Sequence, residues 1–85
     1  MTPVFEGSNF SNITSTTSFS KATRVLGVWV SSASSTPTIK VTDTAGNIIA
    51  NTFTPISAMP FFFPCACHGL TVTISGTVDC TVFWG

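Results

Sequence analysis

The residues best suited to chemistry in this chain are three cysteines and a single histidine. Cys65, Cys67 and His68 lie almost side by side, and Cys80 follows further along the chain. Three thiols and an imidazole are formally a zinc ligand set, but zinc-binding pairs are usually separated by two to four residues. A disulfide such as Cys67–Cys80 is a second possibility, although an odd number of cysteines cannot form a complete disulfide framework. We favour reduced cysteines that pack as small apolar side chains, with no metal and no cofactor.

Catalytic groups are scarce in the sequence. A Ser-His-Asp triad needs a base oriented by an acid and an activated hydroxyl, and nothing distinguishes one serine from the many present. Asp43 lies in a sequence typical of turns, where aspartate accepts hydrogen bonds from backbone amides. Asp79 falls among the polar residues of an alternating stretch, and no phosphate-binding loop or cofactor fingerprint is found. We therefore predict that the protein is not an enzyme.

The composition points to permanent contacts with other subunits. The net charge is zero, only 7% of the 85 residues are charged and 44% are hydrophobic, whereas about 25% charged residues is typical. Large apolar surfaces on soluble proteins usually mark interfaces, so we predict an oligomer; the alternative is a neutral, poorly soluble monomer. The lack of a basic cluster argues against nucleic acid as a partner.

Targeting signals are not evident either. No apolar run approaches the roughly 18 residues of a membrane span. The first residues, MTPVFEGS, have neither a basic segment nor an apolar segment of the kind found in signal peptides. These observations predict synthesis in the cytoplasm and no membrane partner. Asn12-Ile13-Thr14 matches the glycosylation pattern, and without a secretion signal we attribute that match to chance.

Residues 69–84, GLTVTISGTVDCTVFW, give the clearest structural pattern. Apolar and hydroxylated residues alternate with a period of two, which is typical of strands buried on one face. We predict a hairpin with a three-residue loop ending at Gly76, because glycine adopts the left-handed conformation that such a loop requires. That register places Val72 opposite Val78 and Leu70 opposite Cys80.

Four further stretches complete the prediction. Residues 23–30 form a strand covered on both faces, residues 31–35 a polar connection, and residues 36–54 a second hairpin around a turn at 43–47. In residues 55–64 three prolines exclude a helix and a central strand. Because adjacent residues of an extended segment point in opposite directions, at least one of Phe61, Phe62 and Phe63 faces inward and another faces a partner.

Residues 1–20 are rich in serine, threonine and asparagine, with apolar residues at irregular spacing. We predict an extended N-terminal arm that lays its phenylalanines on a neighbouring subunit; a disordered tail is the alternative. Residues 21–85 form an all-β body, a small β-sandwich or jelly roll of about six to eight short antiparallel strands. The predicted interface residues are aromatic or aliphatic: Phe5, Phe10, Ile13, Phe19, Trp29, Phe61, Phe62, Phe63, Phe83 and Trp84.

The sequence resembles the small decoration, or cement, proteins of tailed-phage capsids, particularly those of cyanobacterial phages. The resemblance covers the polar N-terminal segment, the stretch TIKVTDTAGNII, the segment MPFFFP and the closing stretch GLTVTISGTVDCTVFW. It implies a β-sandwich protein, a homotrimer, that binds the major capsid protein on the outside of the virion and stabilises the capsid without catalysis. The expected location is therefore the capsid exterior, after synthesis in the host cytoplasm.

A receptor-binding or glycan-binding β module on a phage fibre or surface is the alternative function. Trp29, Trp84 and the phenylalanines could stack on sugar rings. Sugar sites also need planar polar groups that fix the hydroxyls, and the chain has few of these and no tyrosine.

Overall fold

The computed structural model describes residues 9–85 as an antiparallel, all-β protein, which confirms the predicted fold class. The alternating apolar residues of the sequence form extended strands because each strand buries one face. The six strands, all joined in one curled sheet, are β1 (Asn9–Ile13), β2 (Thr17–Phe19), β3 (Arg24–Thr42), β4 (Ile48–Phe53), β5 (Met59–Ala66) and β6 (Leu70–Trp84).

The most regular stretch of the sequence is one continuous strand, so the predicted hairpin at residues 69–84 is wrong. β6 pairs with β3 along both of their lengths, with Val72 opposite Val41 and Val78 opposite Ala33. Gly76 has a φ of 89°, as a hairpin loop would require, but its backbone lies against Pro37 where the register between the two strands shifts. The glycine therefore bends a long strand instead of reversing it.

The bend divides the sheet into two halves that share β3 and β6. In one half the strand order is β1-β6-β3-β5, and in the other it is β2-β6-β3-β4. The predicted polar connection at residues 31–35 is wrong, because these residues continue β3 between its two halves. Buried residues of both halves form a single core: Ile13, Phe19, Ala22, Val25, Val28, Val30, Ile39, Val41, Cys67, Leu70, Val72, Val78, Cys80 and Val82.

Two aromatic contacts join the two halves at opposite edges of the sheet. The ring centroids of Phe19 on β2 and Trp84 on β6 are 5.2 Å apart. Those of Phe53 on β4 and Phe61 on β5 are 5.0 Å apart. The first contact joins β2 to the C-terminal end of β6, which lies in the other half, and the second joins β4 to β5, so the single sheet curls around its own core.

The second hairpin and the proline-rich strand follow the prediction. β3 and β4 are joined by a turn at residues 43–47, and the register shifts near Ala50 and Ile48. β5 pairs only with β3 in the described sheet, so it is an edge strand, where Pro60 and Pro64 cost no inter-strand hydrogen bond on the solvent side. Phe61 packs against the core and Phe62 is exposed, which confirms the predicted alternation.

The N-terminal segment is part of the body wherever the structure describes it. β1 pairs with the end of β6 and β2 pairs with its beginning. Ile13 and Phe19 are 7% and 9% exposed and belong to the core, because each lies beside an inward-facing residue of β6. The predicted boundary after residue 20 is therefore wrong for residues 9–20, and residues 1–8, with Phe5, lie outside the described residues.

Candidate functional site: an outer aromatic face

Strand register aligns aromatic residues across the outside of the half formed by β1, β6, β3 and β5. Phe10 is opposite Phe83, Phe83 is opposite Gly27, and Gly27 is opposite Phe62. The adjacent outward-facing row runs Asn12, Thr81, Trp29 and Pro60. We call these eight residues the outer aromatic face: Phe10, Asn12, Gly27, Trp29, Pro60, Phe62, Thr81 and Phe83.

Gly27 allows β3 and β5 to approach closely within this face. A Cβ added to Gly27 would contact the Phe61 carbonyl oxygen and would lie 2.9 Å from the Phe62 Cα and 3.0 Å from the ring carbon Cδ1. The Phe62 ring therefore covers the glycine backbone, an arrangement that compensates for the missing side chain of a strand glycine. This packing fixes the position of an aromatic ring that is otherwise exposed.

Three side chains of the outer aromatic face expose apolar surface to solvent. Phe10 is 73% exposed, Phe62 is 62% exposed and Trp29 is 39% exposed. At about 200 Å² for each aromatic side chain, these three expose about 350 Å². None of the eight residues of the face is charged. No ionic group within the face therefore offsets the free-energy cost of exposing its apolar side chains to water.

Charged residues lie at the two ends of the face along the strands. Arg24 lies at one end of the face, where β3 begins, and its side chain lies beside Gly85. Asp79 is at the other end, opposite Ser32, and its carboxylate accepts a hydrogen bond of 2.7 Å from the Asn12 side-chain amide. That amide also donates to the Cys80 carbonyl oxygen at 3.1 Å. Because its nitrogen is already engaged, Asn12 is poorly placed to accept a glycan.

The predicted interface residues fall into distinct environments. Phe10, Trp29, Phe62 and Phe83 lie on the outer aromatic face. The other described members point inward: Phe61, Phe63 and Trp84 pack against the core, and Ile13 and Phe19 are buried within it.

The Trp84 indole N–H is buried without a hydrogen-bond partner. Its ring is packed against Phe19, so of the two tryptophans only Trp29 is available for stacking on a ligand.

Within residues 9–85 the cysteines form neither a disulfide nor, with His68, a metal-binding group. Cys65 is exposed on β5, while Cys67 and Cys80 are buried, and all three are free thiols. Burial, with a smaller effect of Asp79, raises the pKa of the Cys80 thiol to about 11. Burial also raises the pKa of Cys67, helped by Cys65 and Asp43. Both buried thiols are thus poor nucleophiles at neutral pH, since the thiolate is the reactive form.

Asp43 has the turn role that its sequence context predicts. Its carboxylate accepts hydrogen bonds from the Asn47 side-chain amide at 3.0 Å and from the Asn47 backbone N–H at 2.8 Å. These bonds, the side-chain one foremost, lower the pKa of Asp43 because they stabilise the charged form. The carboxylate therefore holds the β3–β4 turn.

A shallow depression of about 530 Å³ lies at one end of the sheet, where Gly69 approaches Thr44. His68 lines it, and no aspartate or glutamate does. A base in a triad would need a carboxylate partner to orient it. The depression is open, and its remaining lining residues are Ser20, Lys21, Ala22, Thr23, Thr44, Ala45 and Gly69.

Metal ligands and membrane-spanning helices can be assessed for residues 9–85. Within that range no group of three or more histidine, cysteine, aspartate or glutamate side chains is arranged to hold a metal ion. In the same range there is no helix long and apolar enough to cross a membrane.

Sequence reasoning missed the residues that complete the face. The prolines of residues 55–64 argued against a central strand, but nothing in the sequence aligned Gly27 or Pro60 with Phe10 and Phe83. That alignment depends on β6 lying between β1 and β3. Comparison of the chain with protein-family models, with curated proteins and with solved structures finds no match.

Proposed function

We propose that this protein is a non-enzymatic structural component of a virion, an oligomeric decoration protein that binds the major capsid protein and stabilises the capsid. The observation that carries the proposal is the outer aromatic face, an uncharged apolar surface on a chain with very few charges. The largest apolar patch on the surface of a soluble protein is often functional. The resemblance to phage cement proteins adds the identity of the partner, the trimeric state and the location on the capsid exterior.

The fold is suited to a passive binding role. Its core is small, and a domain of this size gains stability when a partner binds the native state. The buried thiols have raised pKa values, and His68 lines a depression without a carboxylate. These features support a protein that acts by contact and without catalysis.

Attachment to capsid shells tests the proposal. The purified chain is mixed with shells assembled from the major capsid protein encoded nearest to it, and the shells are sedimented. We expect the chain to sediment at a fixed ratio to the shell subunit and to raise the temperature at which the shells dissociate. A chain that stays in the supernatant with every shell tested, or a gene that has no capsid gene near it, contradicts the proposal.

A glycan-binding or receptor-binding module is a second candidate, favoured by the exposure of Trp29 beside the aromatic row. An exposed aromatic face can stack on the apolar face of a sugar ring. Hits on a glycan array that are lost in Trp29→Ala would favour this function. The matched variant is Trp84→Phe, because the Trp84 ring packs against Phe19 inside the fold and should not affect sugar binding.

A further inference from the structure

We infer that the outer aromatic face is the surface through which copies of this chain bind one another. The inference rests on the proposed function, because it assigns the oligomer contact of the decoration protein to particular residues. The occupant of the face is a second copy of this chain.

Area supports a protein partner of this kind. Phe10, Phe62 and Trp29 together expose about 350 Å², while each partner in a standard interface buries about 800 Å². The three aromatic side chains thus provide nearly half of the required area, and the other residues of the outer aromatic face provide contacts around them. The core of a permanent interface is apolar and depleted of charge, as this face is.

Charge complementarity supports a second copy as the partner. The face is uncharged, so it matches another uncharged apolar surface, and the chain itself carries one. Its two ends carry opposite charges, Arg24 at one and Asp79 at the other. Copies arranged head to tail around a three-fold axis bring the end with Arg24 of one copy towards the end with Asp79 of the next. Opposite charges at the rim set the register of such a contact.

The pattern of edge protection agrees with this assignment. β5, on one side of the face, contains Pro60 and Pro64, which hinder pairing with another strand. β1, on the other side, contains neither a proline nor a charged residue. Among residues 9–85 β1 pairs only with β6, so a neighbouring copy that covers Phe10 also shields this edge of β1 from unspecific pairing.

The test compares the mass of the protein with that of two surface variants. Light scattering and sedimentation equilibrium are measured between about 1 and 100 μM for the full chain, Phe10→Ser and Phe62→Ser. We expect a defined oligomer for the full chain. Burial of a phenylalanine side chain corresponds to an affinity change of about 10- to 100-fold, so each variant should weaken association by that factor.

Ile56→Ser is the matched control, because Ile56 is 60% exposed but lies outside the face. It should associate like the unchanged protein. Circular dichroism must show that all variants are folded, which is expected since Phe10 and Phe62 contribute little to the core. A monomeric full chain, or serine variants that associate as strongly as Ile56→Ser, overturns the inference.

Shell attachment separates this inference from the proposed function. If the monomeric chain binds capsid shells and Phe10→Ser abolishes that binding, the face contacts the capsid protein; the inference is then wrong and the proposed function stands. If the chain forms an oligomer through this face but binds no shell, the inference stands and the proposed function fails. Glycan hits lost in both serine variants would assign the face to sugar and overturn the inference.

Discussion

Phe62 lies directly opposite Gly27 on the neighbouring strand, and its ring covers the glycine where a side chain would otherwise be. This contact affects both the packing of β5 against β3 and the position of an exposed aromatic ring. The glycine lets the edge strand approach β3, and the same approach holds an aromatic ring at the protein surface. The packing of β5 and the composition of the outer aromatic face therefore depend on one residue without a side chain.

Gly27→Ala should destabilise the protein by about 3 kcal/mol, because the new methyl group would clash with backbone atoms of β5. Urea denaturation measures the change. Gly46→Ala is the control: Gly46 also has a positive φ, 90°, but has open space around its Cβ position. Its cost should be only about 1 kcal/mol, from backbone strain alone. Equal costs for the two variants would contradict the close approach.

Asn12→Ala should loosen β1 from β6 because it removes the hydrogen bonds to Asp79 and to the Cys80 carbonyl oxygen. We expect a loss of about 1 kcal/mol and faster hydrogen exchange of the β1 amides, with little change in β4. Asp79→Ala removes the same side-chain contact. The double variant should therefore cost less than the two single changes added together, and strictly additive costs would show that the pair does not interact.

Removal of residues 2–20 should unfold the protein, because it deletes β1 and β2 and uncovers the whole outer edge of β6. Ile13 and Phe19 would be lost from the core with them, at roughly 2–5 kcal/mol each. Removal of residues 2–8 deletes none of the six described strands and is the comparison for the longer deletion. Thermal melts followed by circular dichroism distinguish the two outcomes. A folded protein after the longer deletion would restore the arm hypothesis.

Alkaline pH should destabilise the protein through Cys80. The pKa of the Cys80 thiol is about 11 in the folded state, compared with the ordinary value of 9.0 that applies to the unfolded chain. As the pH rises, the unfolded chain therefore loses this proton at a lower pH than the folded protein. The protonated thiol makes its full contribution to the free energy of unfolding below pH 9. As the pH rises towards 11, the free energy of unfolding falls by about 2 kcal/mol. Urea denaturation from pH 8 to pH 11 measures the effect. Cys80→Val removes this thiol and should reduce the loss, and the remainder is expected from Cys67, whose pKa is also raised. An unchanged profile would assign the whole loss to other groups.

The sequence predicted which residues are buried better than it predicted which strands are neighbours. Alternation at residues 69–84 placed Leu70, Val72, Val78, Cys80 and Val82 inward, and all five are buried. The period of two is the same for a hairpin and for one long strand, and a glycine with positive φ fits either a loop or a bend. The partner of that strand is β3, far away in sequence, and local patterns contain no information about such pairing.

The N-terminal strands and the outer aromatic face show the same limit. β1 and β2 are too short for a periodic pattern, so their apolar residues were interpreted as contacts with a neighbouring subunit. The members of the face come from four strands spread over most of the chain. Only the complete topology brings Phe10, Phe62 and Phe83 into one row.

The position of β6 also has a consequence for how the chain acquires its structure during synthesis. β6 is made after the other five strands, yet β1, β2 and β3 all pair with it. The hydrogen-bond partner of Asn12, Asp79, is synthesised 67 residues later. Until then only the pairs of β3 with β4 and β5 can form, and apolar residues of the first strands remain uncovered. We therefore expect slow completion of the sheet, as is usual for proteins dominated by distant contacts.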